Sequence, residues 1–134
     1  MALIVQKFGG SSVGTIDRIR NVAHRIHDTA RDGNQVVAVV SAMSGVTDKL
    51  ISLAKELSES PCERELDVLM ATGEQQSIAL LCMALHELGE KAMSFTGAQA
   101  GITTFGNHTR GRIHSINPTL MNKYLQEGNI LICA

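Results

Sequence analysis

A lysine and a pair of glycines near the amino terminus have the residue types and the spacing of a phosphate-binding turn. Lys7 ends a short apolar run, Gly9 and Gly10 follow it, and an amphipathic segment begins at Ile16. Glycines let the backbone approach an anion closely, and the N–H groups at a helix start carry partial positive charge. Lys7 would add a mobile point charge to these fixed donors. The stretch therefore predicts an anion site, with phosphate as the usual ligand.

Two better-known phosphate motifs do not fit this stretch. A Walker-type loop places its lysine after the glycines, whereas Lys7 precedes them. The dinucleotide fingerprint G-x-G-x-x-G has a different first spacing from the segment GGSSVG at residues 9–14. A plain glycine-containing turn beside a solvated lysine is the structural alternative.

A second candidate is a carboxylate inside an apolar helical stretch. Gly73 and Glu74 interrupt apolar residues that continue on both sides of them. Because Gly lowers helix stability by about 1 kcal/mol relative to Ala, the pair either separates two helices or brings Glu74 to a place where a carboxylate is needed. From the residues alone, a solvated helix residue is the favoured interpretation of Glu74, and a cap of the following helix is the favoured interpretation of Thr47.

Length and charge limit the class of protein. A chain of 134 residues with a formal net charge of −1 is about one domain and has no basic face. With one Tyr, three Phe and no Trp to stack on bases, nucleic acid is not an expected partner. The apolar run at residues 1–5 is too short for a signal sequence, and no uninterrupted run approaches the roughly 20 residues of a membrane span. We therefore expect a cytoplasmic protein without a membrane partner.

The cysteines and histidines predict no metal site. Cys62, Cys82 and Cys133 are odd in number, far apart and without C-x-x-C spacing, which indicates reduced packing thiols. His24 and His27 share a helix face, but no further ligand stands near them, so we interpret them as a solvated pair.

The order of apolar segments predicts an α/β fold. Strand-like apolar runs lie at residues 3–8, 36–40, 92–96 and 130–133. Helical spacing runs through residues 16–30, 50–57, 66–88 and 118–127. We therefore expect an open, mainly parallel sheet with helices on both faces and right-handed crossovers.

Small and polar residues follow three of the predicted strands, at residues 7–10, 41–45 and 96–101. Ligands of such sheets bind beyond the carboxyl ends of the strands, so these segments should lie together. Behind the third strand, residues 97–112 are predicted to form a long glycine-rich loop, of the kind that binds a ligand or moves.

Four ordered motifs closely resemble those of the aspartokinases, a family within the amino-acid kinase superfamily. The motifs are KFGGSSV at residues 7–13, VVSAMSG at 39–45, ATGEQ at 71–75 and FTGAQAG at 95–101. The resemblance implies a truncated amino-acid kinase fold, with residues 1–134 as the N-terminal portion of the catalytic domain. It also implies that the nucleotide-binding second half, with its Gly-Arg-Gly-Gly-Ser-Asp segment, and the regulatory ACT domains are absent from these residues.

An activity is implied by the same resemblance: transfer of the γ-phosphoryl group of ATP to the side-chain carboxylate of L-aspartate, at the entry to lysine, threonine and methionine biosynthesis. Mg²⁺ held by the phosphates would accompany ATP. By match to the family motif, Lys7 would be catalytic and would neutralise the transferring group. Phe8, Gly9, Gly10 and Ser41 would join Lys7 in holding the nucleotide.

The substrate residues are also assigned by the resemblance. Glu74 would bind the α-amino group of aspartate, Arg112 would bind a carboxylate through a bidentate fork, and Thr47 would add a hydroxyl contact. From the residues alone, a loop charge among Arg110, His108 and His114 is the favoured interpretation of Arg112.

Two classes of function stay open at this stage. One is an aspartate kinase of which residues 1–134 are an inactive part, and the other is a non-catalytic binding or assembly fragment. Within the enzyme class, a sibling kinase for another amino acid or for carbamate is the alternative. Because a cut parallel sheet leaves an unpaired edge, we also expect the chain to form a homo-oligomer.

Overall fold

Six strands and four α-helices follow one another in a computed structural model that describes residues 1–134. In chain order they are β1 (Leu3–Phe8), α1 (Ile16–Arg31), β2 (Gln35–Val40), α2 (Val46–Leu57), α3 (Glu63–Glu87), β3 (Ala92–Phe95), β4 (Ile102–Phe105), β5 (Arg112–Ile116), α4 (Thr119–Gln126) and β6 (Ile130–Cys133). A short 3-10 turn, Gly10–Val13, joins β1 to α1. All four strands and all four helices predicted from the apolar pattern are confirmed.

Four strands form one parallel sheet in the order β1-β2-β6-β3. The last strand of the chain, β6, therefore lies between β2 and β3, and the unpaired edges of the sheet are β1 and β3. The edge strand β1 leaves apolar side chains open, since Leu3 is 54% and Val5 is 63% exposed. The predicted open parallel sheet is confirmed, and it has two unpaired edges.

Helices cover both faces of the sheet, as predicted. On one face α1 and α3 pack on β1, β2 and β6, and Ile19, Ile26, Leu81 and Leu85 are almost fully buried there. On the other face α4 packs on β6 and β3 through Leu125, and this second cluster is smaller. The sheet is thus fixed most firmly by α3, which carries the candidate carboxylate.

The helix α3 runs through Gly73 without a break. It spans 25 residues, so of the two roles predicted for Gly73 and Glu74, the separation of two helices is wrong. A glycine is tolerated here because α2 packs closely against it. By length and composition alone α3 could also cross a membrane, although an apolar core helix meets the same two criteria. In this fold its buried side chains pack on the sheet.

Residues 97–112 are not one long loop, and this prediction is wrong. A tight turn at residues 96–101 leads into β4 and β5, which pair antiparallel as a hairpin separate from the main sheet. Arg112 is accordingly the first residue of β5 and faces Phe105 across the pair. Pairing of Thr103 with Ser115 and of Thr104 with Ile113 provides hydrogen-bond partners for backbone N–H and C=O groups. In a loop these groups would bond to water instead.

The thiols and the histidines differ from the predictions in part. Cys82 and Cys133 are buried in the core as predicted, and burial raises the pKa of both thiols, that of Cys82 to about 12. Cys62 is exposed instead. His27 is mostly buried, and its Nδ1 atom lies 2.7 Å from Glu90 Oε1, so it joins α1 to the turn after α3 instead of facing solvent.

Candidate active site

The turn after β1 presents unused backbone donors. The N–H groups of Gly9, Gly10 and Ser11 donate no hydrogen bond to the surrounding chain. A Cβ atom on Gly10 would lie 3.0 Å from the carbonyl oxygen of Ala42, so this residue must be small for the turn to sit against the end of β2. Gly9 faces open space. Three free N–H groups beside an open surface are what a phosphate needs for binding.

The segment after β2 lies between this turn and α3. The N–H group of Ser41 donates to the carbonyl oxygen of Phe8 at 3.3 Å, which ties the ends of β1 and β2 together. On its other side, the hydroxyl of Ser77 on α3 donates to the carbonyl oxygen of Ser41 at 2.8 Å. Ser77 is fully buried, and a buried hydroxyl of this kind fixes the position of its acceptor. Ser41 is therefore held in place from two elements.

The start of α2 is set by a glycine and leaves Thr47 free. Gly45 precedes the helix with a φ of +81°, a left-handed conformation that favours glycine. No side chain caps the helix, so the hydroxyl of Thr47 does not have the capping role that was the alternative for it. Thr47 is half-buried in the first turn, close to the end of β2. Its hydroxyl is available to a ligand.

Gly73 allows α3 to approach the start of α2. A Cβ atom at this position would lie 2.9 Å from Val46 Cγ1, 3.2 Å from Leu50 Cδ1 and 3.5 Å from Ala42 Cβ. The next residue, Glu74, is exposed at the same level of the helix. Lys7, Ser41, Thr47 and Glu74 are thus all carried by segments that contact one another at the carboxyl edge of the sheet.

The charged side chains of the candidate site have no partner of opposite charge within the chain. Lys7, Glu74 and Arg112 form no ion pair; the ion pairs of the chain are Arg20 with Asp17, His27 with Glu90, Arg64 with Glu65 and His108 with Asp67. No three His, Cys, Asp or Glu side chains come together as a metal-binding group. An exposed ammonium and an exposed carboxylate on neighbouring segments can take ligand groups of opposite charge.

Arg112 forms no ion pair with any of the other four residues. It reaches this part of the molecule through the β4–β5 hairpin, whose tip binds α3: the N–H group of Thr109 donates to the Asp67 carboxylate at 3.0 Å. Asp67 lies two helical turns before Glu74. The structure therefore brings the hairpin to the helix that carries Glu74, with Arg112 three residues beyond the contact.

Two structural residues of the site were missed from the sequence. Ser77 is a lone hydroxyl in an apolar helical run, and Asp67 follows the acids Glu63 and Glu65 and stands seven residues before Glu74. A polar residue on the buried or site-facing side of such a helix is the signal that could have identified both.

Comparison with known proteins identifies the family of the chain. A sequence profile of the Amino acid kinase family matches residues 2–134. The chain belongs to the amino acid kinase family. The chain spans about a third of the length of the curated relatives it matches, which places the described segments in only part of a longer family member.

Individual relatives of the amino acid kinase family are similar over the whole chain. The Geobacillus stearothermophilus protein named "Aspartokinase" is 55% identical over 134 residues, covering 100% of this chain and 33% of the relative. "Aspartokinase 2" of Bacillus subtilis (strain 168) is 52% identical, with the same coverage of both chains.

Solved structures of relatives share the fold. The aspartate kinase from Synechocystis superposes with a TM-score of 0.84 at 49% identity, covering 98% of this chain and 21% of that one. The aspartokinase III of E. coli in complex with aspartate and ADP (R-state) superposes with a TM-score of 0.82, covering 99% of this chain and 40% of that one. At 18% identity the second structure supports the amino acid kinase fold alone.

Proposed function

We propose that this chain is the N-terminal part of an aspartate kinase, which transfers the γ-phosphoryl group of ATP to the side-chain carboxylate of L-aspartate. The proposal is carried by the free N–H groups of Gly9, Gly10 and Ser11, which lie beside the unpaired Lys7. The segment after β2 separates this turn from α3, which carries the unpaired Glu74. About 50% identity to proteins named aspartokinase over the whole chain supports the choice of substrate.

Phosphoryl transfer mainly requires positioning and cancellation of charge on the phosphate oxygens. The N–H groups of Gly9 and Gly10 would bind phosphate oxygens, with Phe8 and Ser41 closing the same strand ends around the nucleotide. Lys7 Nζ would neutralise the charge that develops on the transferring group. Because these donors are held by the sheet, they need no reorganisation when the charge develops.

A different set of side chains would hold the amino acid. Glu74 would accept hydrogen bonds from the α-ammonium group, and Thr47 would donate its hydroxyl to the substrate. Arg112 would bind a carboxylate through its planar fork. Opposite charges on the two ends of the site would orient aspartate with its side-chain carboxylate towards the γ-phosphate.

Mg²⁺ would be held by the phosphates and would offset their charge when bound. The residues fit this arrangement, since the turn offers N–H donors and a lysine to an anionic ligand, while the protein itself brings no acidic cluster to the cation.

We also propose that the protein acts in the cytoplasm as a homo-oligomer. The exposed apolar edge of β1, with Leu3 and Val5, supports self-association of this chain.

The proposal is tested in the complete natural protein that contains this chain. Aspartyl phosphate formation, trapped as the hydroxamate, should depend on both ATP and L-aspartate. Lys7→Ala should lower kcat by about 10² or more while ATP still binds, because the lysine acts on charge that develops in the transition state. Turnover of Lys7→Ala within a few-fold of the parent would remove Lys7 from the mechanism.

The alternative of a non-catalytic binding or assembly fragment is favoured for residues 1–134 alone, because the chain spans about a third of its relatives. We expect the isolated chain to associate and to form no hydroxamate. Clear ATP-dependent product from a monodisperse monomer of 134 residues would contradict this expectation. Use of another amino acid or of carbamate in place of aspartate by the complete protein would favour a sibling kinase.

A further inference from the structure

The β4–β5 hairpin is joined to the rest of the molecule at two places. At its base, the half-buried Ile102 packs against the smaller core cluster, and the N–H group of Asn117 donates to the carbonyl oxygen of Gly101 at 2.9 Å, which closes the hairpin. Between these residues almost every side chain is exposed, and the two strands pair only with each other. A two-stranded hairpin alone is at best marginally stable in water, so contacts at its tip decide where it lies.

The tip contact is made by one carboxylate of α3. The N–H group of Thr109 donates to both oxygens of Asp67, at 3.2 and 3.0 Å, and His108 Nδ1 lies 3.1 Å from Oδ2. These partners are 41 and 42 residues apart along the chain, so the contact is tertiary. Thr109 has a φ of +64°, which is rare for a β-branched residue and persists only where the surroundings hold it.

Asp67 occupies the face of α3 that carries Glu74. Residues seven apart on a helix lie almost directly above one another, separated by about 10 Å along the axis. The hairpin is therefore docked beside the predicted substrate carboxylate. Arg112 follows Thr109 by three residues, so its position depends on the same contact.

We propose that Asp67 is a positioning residue, which holds the β4–β5 hairpin against α3 and thereby sets the affinity for the amino-acid substrate bound at Glu74. This inference rests on the proposed function. When the hairpin is already docked, substrate binding does not pay the free-energy cost of ordering it. When the hairpin is undocked in part of the molecules, the apparent affinity for substrate falls in proportion to the fraction of molecules that remain docked. Nucleotide binding at the β1 turn is not touched.

Kinetics of the complete natural protein test the inference. Asp67→Ala should raise the KM for aspartate about five- to tenfold, the size expected for the net loss of a typical intramolecular hydrogen bond, while kcat and the KM for ATP change less than twofold. Asp67→Asn retains an acceptor for Thr109 and should have a smaller effect, which also guards against misfolding of the Ala variant. Glu63→Gln, at an exposed acid of α3 with no bond to the hairpin, is the matched control.

Proteolysis provides a readout that does not depend on activity. Trypsin cleaves after Arg110 in the hairpin tip, and Asp67→Ala should be cut there several-fold faster than the parent or Glu63→Gln. An unchanged KM for aspartate, or an unchanged rate of cleavage, in a protein that still makes hydroxamate would overturn the role of Asp67 and leave the proposed function standing. A parent protein that makes no hydroxamate from aspartate would overturn the proposed function and the substrate role of Asp67 together.

Discussion

Replacing Gly73 by Ala sets two known effects against each other. Ala favours a helix interior by about 1 kcal/mol over Gly, so propensity alone predicts a more stable protein. The added Cβ atom, however, would lie 2.9 Å from Val46 Cγ1 and 3.2 Å from Leu50 Cδ1. Overpacking of this kind costs about 1–3 kcal/mol. We therefore expect Gly73→Ala to be less stable by about 1 kcal/mol.

The effect on the site should exceed the effect on stability. Val46 is β-branched and has little rotamer freedom in a helix, so the first turn of α2 must move to relieve the contact. That turn carries Thr47, one of the predicted substrate contacts. We expect the KM for aspartate to rise about tenfold, because a displacement of several tenths of an ångström lengthens a hydrogen bond that the site needs.

Two measurements check this reasoning. Urea unfolding of the complete protein, followed by circular dichroism, measures the change in stability, and hydroxamate formation by the same protein measures the KM. Gln76→Ala, at an exposed position of the same helix, is the control and should alter neither quantity appreciably. A Gly73→Ala protein that is about 1 kcal/mol more stable than the parent, with an unchanged KM, would refute the packing argument.

Three further predictions concern one carboxylate and the thiols. Glu74→Gln should raise the KM for aspartate with a smaller effect on ATP, since an ammonium contact is lost; equal weakening of both substrates would point to damage to the helix instead. At pH 8 a thiol reagent should modify Cys62 alone, because burial raises the pKa of Cys82 to about 12 and also that of Cys133. The stability that depends on neutral Cys82 should be intact below pH 9 and be lost as the pH rises towards 12, which unfolding midpoints would detect.

The sheet and its helices could be predicted because their residues carry strong local signals. The run at residues 36–40 is apolar without alternation. A strand that is covered on both faces requires apolar side chains on both faces, so this pattern predicts such a strand. The order β1-β2-β6-β3 could not be obtained in this way, because apolar runs do not specify which strand becomes the neighbour of which. The hairpin was missed because the glycines of residues 97–112 outweighed the β-branched and aromatic residues at 102–105.

The strand-end segments of the candidate site were easier to predict than the contacts made by α3. Gly9 and Ser41 directly follow strands, so the topology of a parallel sheet was enough to bring the two segments together. Ser77 and Asp67 act from the middle and the first half of a long helix, through contacts with segments distant in sequence. Periodicity places such residues on a helix but cannot say which partner they meet.

The central position of β6 has a consequence for synthesis on the ribosome. Strand β2 leaves one edge unsatisfied until β6 emerges, and β3 has no neighbour before then. At about 5–20 residues per second, the nascent chain spends roughly 5 to 20 s between the end of β2 and the end of β6. During that interval the apolar edge of β2 is open to other nascent chains and to chaperones. The β1-α1-β2 unit therefore waits longer for its missing neighbour than β3 does.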